Sequence, residues 1–257
     1  MIGIYFSGTG NSRYILDVFL HAYYNGKKGR CELYAIEEQG AAEAVRKNQE
    51  IVFSYPVQFS NVPKIVRDFI AGHPALWKQK KIFVIATMGL FSGDGAGMLG
   101  RMLRKYGAEI TGGLHVKMPD SIADEKMLKR TMVQNQKLVA RAAAKAKGAA
   151  KALRDRKPPR DGLGWMCRFA GLFGQRLWFS QKVRHYSDRL KIDTAACVGC
   201  GTCTALCPMD NLRLVHGKAE ARGRCTMCYR CIQNCPKQAL TLLGKRVVQQ
   251  GTIEHYL

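Results

Sequence analysis

The sequence predicts an α/β fold, a doubly wound five-stranded parallel sheet, followed by a small α+β domain rich in cysteine. Three observations predict it. Apolar segments of strand length alternate with helical patterns over roughly the first 150 residues. Eight of the ten cysteines fall near the C-terminus, in two arrays of identical spacing. A basic stretch ending at Pro158 and Pro159 separates the two regions. The expected division is 1–157 for the sheet domain and 158–187 for a basic, aromatic, helical connector. Residues 188–245 form the cysteine domain, and 246–257 a C-terminal tail.

Met1 to Phe6 reads as an apolar strand. It leads through Ser7, Gly8, Thr9, Gly10, Asn11 and Ser12 into a helical pattern with Tyr14, Ile15, Val18, Phe19 and Ala22 on one side. A strand ending in a small, hydroxyl-rich loop that opens a helix offers backbone N–H groups and a positive helix end to a phosphate. The hydroxyls of Ser7, Thr9 and Ser12 add donors, and Gly8 and Gly10 allow close approach. The loop is neither a Walker A loop nor a dinucleotide G-x-G-x-x-G. An ordinary strand–helix turn with a serine cap would share its pattern.

Cys31 to Ile36 is the second strand, and Ile51 to Tyr55 the third, ending at Pro56. A helix follows near Pro63 to Ala71. Lys81 to Thr87 is the fourth strand, Met98 to Tyr106 a helix, and Ile110 to Met118 the fifth strand. A long, basic, alanine-rich helix starts near Asp124. Met127, Val133, Leu138, Ala142 and Leu153 are assigned to its apolar face, and Lys137, Arg141, Lys145 and Lys147 to solvent. In residues 160–187, Leu163, Met166, Phe169, Leu172, Phe173, Leu177 and Trp178 recur at near-helical spacing among Arg168, Arg176, Lys182 and Arg184. The expectation is a helix packed between domains; the other reading is peripheral membrane contact through this segment. Cys31 and Cys167 are expected to be buried thiols.

The cysteine arrays are Cys197, Cys200, Cys203, Cys207-Pro208 and Cys225, Cys228, Cys231, Cys235-Pro236, the second 28 residues after the first. Each reads C-x2-C-x2-C-x3-C-P, the spacing that wraps a [4Fe–4S] cluster, with the fourth cysteine of each run ligating the other cluster. The expected sets are Cys197, Cys200, Cys203 with Cys235, and Cys225, Cys228, Cys231 with Cys207. Zinc sites use paired ligands rather than three evenly spaced cysteines and a remote fourth. A disulfide framework belongs to small secreted chains. Leu212 and Leu214 match Leu240 and Leu242 at the same offset and read as short strands, with His216 and Gly217 as a turn.

The region from about 188 to 245 resembles the bacterial two-cluster ferredoxin domain. The opening Ser7-Gly8-Thr9-Gly10-Asn11-Ser12 resembles the FMN phosphate loop of flavodoxins, and strand number and length agree. The whole chain is similar to the flavodoxin–ferredoxin fusion family of bacteria and archaea, and Met118-Pro119-Asp120 resembles a feature of it. The resemblance implies FMN beyond the carboxyl ends of the strands. Pro56, Val57, Gln58, Phe59, Ser60 and Asn61 would hold the ring on one side. Thr87, Met88, Gly89, Leu90, Phe91, Ser92 and Gly93 would hold it on the other, with Phe59 and Phe91 as stacking residues. Gly95, Gly97 and Gly100 spell G-x-G-x-x-G but lie too far past the fourth strand to cap it, so they read as the end of this flavin loop.

The resemblance implies two [4Fe–4S] clusters and one FMN, and a relay of electrons between them and a redox partner. A flavin-dependent reductase of a small organic molecule is the alternative, with Asp94, His115, Tyr55 and Asp120 as candidate proton donors. A redox-sensing interaction protein is a third. The formal net charge of +22 falls to about +16 once cofactor charges are counted. An acidic redox protein is therefore the expected partner; no nucleic-acid motif is present. Met1 leads straight into a strand and Ile82 to Phe91 is too short to span a bilayer, so a cytoplasmic location is expected.

Overall fold

The structure is a computed structural model and describes residues 1–25, 31–58, 61–90, 93–164 and 189–257. Strands β1 (Ile2–Tyr5), β2 (Leu33–Ala35), β3 (Glu50–Pro56), β4 (Lys81–Met88) and β5 (Glu109–Lys117) form one parallel sheet in the order β2-β1-β3-β4-β5. This is the flavodoxin-like doubly wound order, whose switch point lies between β1 and β3. Side chains alternate between two buried faces, as the pleat requires. Ile4, Phe53 and Val84 face α2 (Ala41–Lys47), α3 (Lys64–Gly72) and α4 (Gly95–Arg104). Val52, Phe83, Ile85 and Leu114 face α1 (Asn11–Tyr23) and α5 (Met132–Arg154).

All five predicted strands are present. The helix α2 leaves no periodic signal in the sequence, because its seven residues are too few to show one. The long helix begins at Met132 rather than near Asp124. Thr131 caps it: its hydroxyl accepts from the Gln134 N–H at 3.3 Å, and Gln134 accepts in return from the Thr131 N–H at 2.9 Å. This box closes two of the free donors at the helix start. The buried face is Asn135, Val139, Ala142, Ala146, Ala149 and Ala150; Met127 and Val133 are exposed instead. Small alanines let α5 lie close against α1.

The connector does not begin as a helix. Pro158 and Pro159 hold the chain extended. Residues 158–164 run beside the open edge of β5, where Gly113 N–H donates to Pro159 O and Asp161 N–H donates to Gly113 O, both at 2.9 Å. The rest of the predicted helix, Cys167 included, lies outside the described residues. Among the described residues, no helix is long and apolar enough to cross a membrane.

The cysteine domain contains β6 (Lys191–Ile192), α6 (Thr202–Ala205), β7 (Leu212–Val215), β8 (Lys218–Ala221), α7 (Arg230–Gln233) and β9 (Leu240–Thr241). β6 pairs antiparallel with β9, and β7 with β8. His216 and Gly217 make the two-residue turn of the β7–β8 hairpin, both at positive φ (48° and 72°). The tail folds back onto the sheet domain. Ile253 N–H donates to Thr9 O at 2.9 Å, and Ile253 and Tyr256 join the core between α1 and α5.

Candidate functional site

The carboxyl ends of β1, β3, β4 and β5 open into one cavity of about 310 Å³. Ser7, Gly8, Thr9, Asn11 and Ser12 line it from the loop after β1. Pro56, Val57 and Gln58 line it from β3, and Thr87, Met88, Gly89 and Leu90 from β4. The crossing Val57 N–H to Thr87 O bond (2.8 Å) and Met118 N–H to Met88 O bond (2.8 Å) hold these loops in step. Ser12 and Thr87 hydroxyls meet at 2.7 Å, and Ser54 Oγ donates to Ser12 O at 2.9 Å. Gly93 and Gly10 do not line the cavity; Phe59, Ser60, Phe91 and Ser92 lie outside the described residues.

Two further walls come from outside the three loops assigned to the flavin, though they include Met118-Pro119-Asp120 and Cys228, which the sequence singles out on other grounds. Met118, Pro119, Asp120, Ser121, Ile122 and Leu128 belong to the segment between β5 and α5. Met227, Cys228, Tyr229 and Leu243 belong to the cysteine domain. Of the four proton-donor candidates, only Asp120 lines the cavity. Burial raises its carboxyl above the usual range, against the Ile122 N–H that it accepts at 2.8 Å. Tyr55 donates to Gly95 O at 2.6 Å, buried Asp94 pairs with Arg101, and His115 Nε2 accepts from Ala96 N–H at 3.1 Å. Those three support α4 instead. Gly95, Gly97 and Gly100 lie inside α4 and do not line the cavity. A side chain on Gly97 would strike Gly162, so that glycine serves packing rather than a ligand loop.

The cavity fits a flavin phosphate group and ring on the chain's own terms. Among the described residues, three buried side-chain atoms lack a hydrogen-bond partner: Ser7 Oγ, Asn11 Oδ1 and Gln58 Oε1. All three residues line this cavity. Buried polar atoms without partners cost about 1–3 kcal/mol each, so their convergence marks a place for a polar ligand. Among the described residues, no lysine or arginine lines the cavity. An anion there would rely on loop N–H groups, hydroxyls and the N-terminal end of α1.

The eight cysteines surround two smaller cavities. Cys197, Cys200, Cys203 and Cys235 line one; Cys207, Cys225, Cys228 and Cys231 line the other. These are the sets expected from the swapped fourth ligand. Backbone N–H groups already point at the sulfurs: Asn211 to Cys207 (3.3 Å), Met227 to Cys225 (3.2 Å) and Ala239 to Cys235 (3.4 Å). Such bonds stabilise thiolate charge and raise cluster potentials. As free thiols, Cys228 and Cys231 are pushed up by burial, so iron must displace their protons on binding.

Five consecutive residues fasten this domain to the first. Thr226 Oγ1 accepts from Ile65 N–H (3.3 Å) and Met227 O from Gln58 Nε2 (3.1 Å). Any side chain at Gly8 would overlap Cys228 O. Tyr229 Oη donates to Asp124 (2.9 Å). Arg230 donates to Ser7 O (2.8 Å) and Glu37 (2.6 Å). Gly10, at φ 86°, is likewise packed against Ile253 of the tail. Both glycines are thus explained by packing against the C-terminal region, not only by ligand approach.

A flavodoxin-like α/β domain joined to a dicluster domain is therefore the class that fold and site define. Residues 189–248 match the family model of the 4Fe-4S dicluster domain, less than a quarter of the chain. Three curated relatives from Escherichia coli (strain K12) match part of this chain. UacF, provisionally named an oxidoreductase, is 32% identical over 71 residues, 25% of this chain and 11% of its own. AegA, named likewise, is 29% identical over 24% of this chain and 11% of its own. YsaA, provisionally named an electron transport protein, is 27% identical over 23% of this chain and 42% of its own. The matched stretch is thus well under two thirds of each relative. Among solved structures, a Megasphaera elsdenii flavodoxin aligns with 58% of this chain and 98% of its own, at 20% identity and TM-score 0.43. Flavodoxin 2 of Bacillus cereus aligns with 60% and 97%, at 16% identity and TM-score 0.43.

Proposed function

We propose that the protein transfers electrons between FMN in the large cavity and the two clusters, and onward to a redox partner. The observation that carries this is the convergence of Ser7 Oγ, Asn11 Oδ1 and Gln58 Oε1 on a cavity whose far wall is a cluster-binding loop. FMN supplies one- and two-electron chemistry; the clusters pass single electrons. Ser7, Thr9 and Ser12 bind the phosphate end with the N-terminal end of α1. Gln58, held by Met227 O, orients the ring, and buried Met88 and Met118 exclude water from it. The names of the bacterial relatives point the same way. The excess of basic residues, with no acidic residue in all of α5, favours an acidic redox protein as partner.

Anaerobic photoreduction of the holoprotein tests the relay. Flavin and cluster absorbance should bleach together as equilibrating centres, within milliseconds of one another. Bleaching of one chromophore while the other stays oxidised for seconds, at potentials that permit exchange, would contradict it. Asp120 favours a second reading, reduction of a small molecule over the ring, since among the described residues it is the one carboxylic acid on the cavity wall. That reading predicts steady turnover of a defined compound, lost in Asp120→Asn.

A further inference from the structure

We infer that the two clusters have fixed and different places in the relay. The cluster of Cys207, Cys225, Cys228 and Cys231 faces the flavin through Met227–Tyr229, and the cluster of Cys197, Cys200, Cys203 and Cys235 is the outward port. The inference rests on the flavin reading above and assigns the order of centres within it.

Met227, Cys228 and Tyr229 line both the large cavity and this cluster's cavity, so one short loop separates the two cofactor sites. No residue of the other set lines the large cavity. At that second site the solvent is close: Cys200 is exposed and its neighbour Val198 is 59% exposed.

The internal repeat supplies an independent argument. Gly199 and Gly201 hold φ of 67° and 77° beside Cys200. Their equivalents 28 residues later, Met227 and Tyr229, hold φ of 56° and 61° beside Cys228. Glycine meets this backbone demand without strain, and a side chain does not. The second array nonetheless carries large side chains there, and both line the flavin cavity. Six other described non-glycine residues hold positive φ and none of them lines this cavity, so it is the place of these two that supports a role. Asp124 then fixes the segment. It accepts from Tyr229 Oη at 2.9 Å and from the Leu242 and Leu243 N–H groups at 2.6 and 2.9 Å.

Each transfer moves one electron. The reduced flavin loses one electron as the inner cluster gains it, and the inner cluster loses it as the outer cluster gains it. The partner, an oxidised one-electron acceptor, takes it from the outer cluster; with a reduced donor the sequence runs in reverse. No atom passes between the clusters.

The test needs no substitution. FMN is added to the full-length protein freed of flavin, and the hyperfine-shifted cysteine β-proton resonances are followed. Contacts to Tyr229 and to Leu214 assign the two sets. The resonances of Cys207, Cys225, Cys228 and Cys231 should move with FMN while the other set holds still. Equal movement of both sets, or movement of the Cys197 set alone, overturns the order. Failure to take up FMN overturns the flavin reading and this order together; uptake without selective shifts overturns the order alone. In the holoprotein, ferricyanide should destroy the Cys197-set resonances first, with flavin absorbance unchanged. Loss of the Cys225 set first overturns the outward assignment.

Discussion

At Gly8 a single hydrogen atom is all the space permits, because the carbonyl of Cys228 sits where a methyl group would go. Gly8→Ala should therefore cost about 1–3 kcal/mol in stability through overpacking. It should also loosen flavin binding, checked by thermal melting and by flavin titration. Asn11→Asp places a carboxylate in a cavity whose lining, among the described residues, has no compensating cation. Flavin affinity should fall by tenfold or more, about 1.4 kcal/mol, and fluorescence titration with FMN measures it. Asp120 supplies a pH signature. Its folded-state pKa is raised by burial, so ionisation costs stability, and the protein loses that contribution as pH rises through the raised value. Asp120→Asn should raise the melting temperature at neutral pH, and the gain should vanish as pH falls below the ordinary carboxylate range. A constant gain at every pH would show that desolvation of the charge is not the cause. The phosphate loop itself was legible, since hydroxyls and glycines between a strand and a helix are a local pattern. The reason for Gly8 was not, because Cys228 lies far along the chain and no period links them. Met227 and Tyr229 did leave a signal: aligning the two arrays sets each of them against a glycine of the first.

At the scale of elements, the five strands could be read from apolar runs alone, because both faces of a parallel sheet are buried. The start of α5 could not be read from apolar pattern, since Met127 and Val133 imitate a buried face yet are exposed. The signal that decides it is Thr131-x-x-Gln134, a capping box. Thr131→Ala should cost about 1 kcal/mol, or roughly 2–4 °C in melting temperature for a domain of this size, as calorimetry would show. The segment freed by that late start, from Met118 to Leu128, is what closes the flavin cavity and carries Asp124 to the cluster loop. The start of the connector is hidden from its apolar pattern for a related reason. Its prolines favour extended backbone, and the unpaired edge of β5 accepts such a strand.

Taken as a whole molecule, the protein brings the flavin site and a cluster site to either side of one loop, Met227 to Tyr229. The tail completes the arrangement. Gln250 Nε2 donates to Ile232 O (2.8 Å) and Cys235 O (2.9 Å), and Ile253 N–H donates to Thr9 O. The same short segment thus touches the fourth ligand of the outer cluster and the phosphate loop. The cysteine spacing made the dicluster domain legible from sequence; its seating against the flavin loop depends on contacts between residues far apart in the chain. The central claim is that one chain holds all three redox centres. Chemical analysis of anaerobically purified protein, with its absorbance spectrum, tests this most directly. The account predicts about eight irons, about eight inorganic sulfides and about one FMN per chain. Zinc without sulfide, or full iron and sulfide in a protein that takes up no FMN, would contradict it.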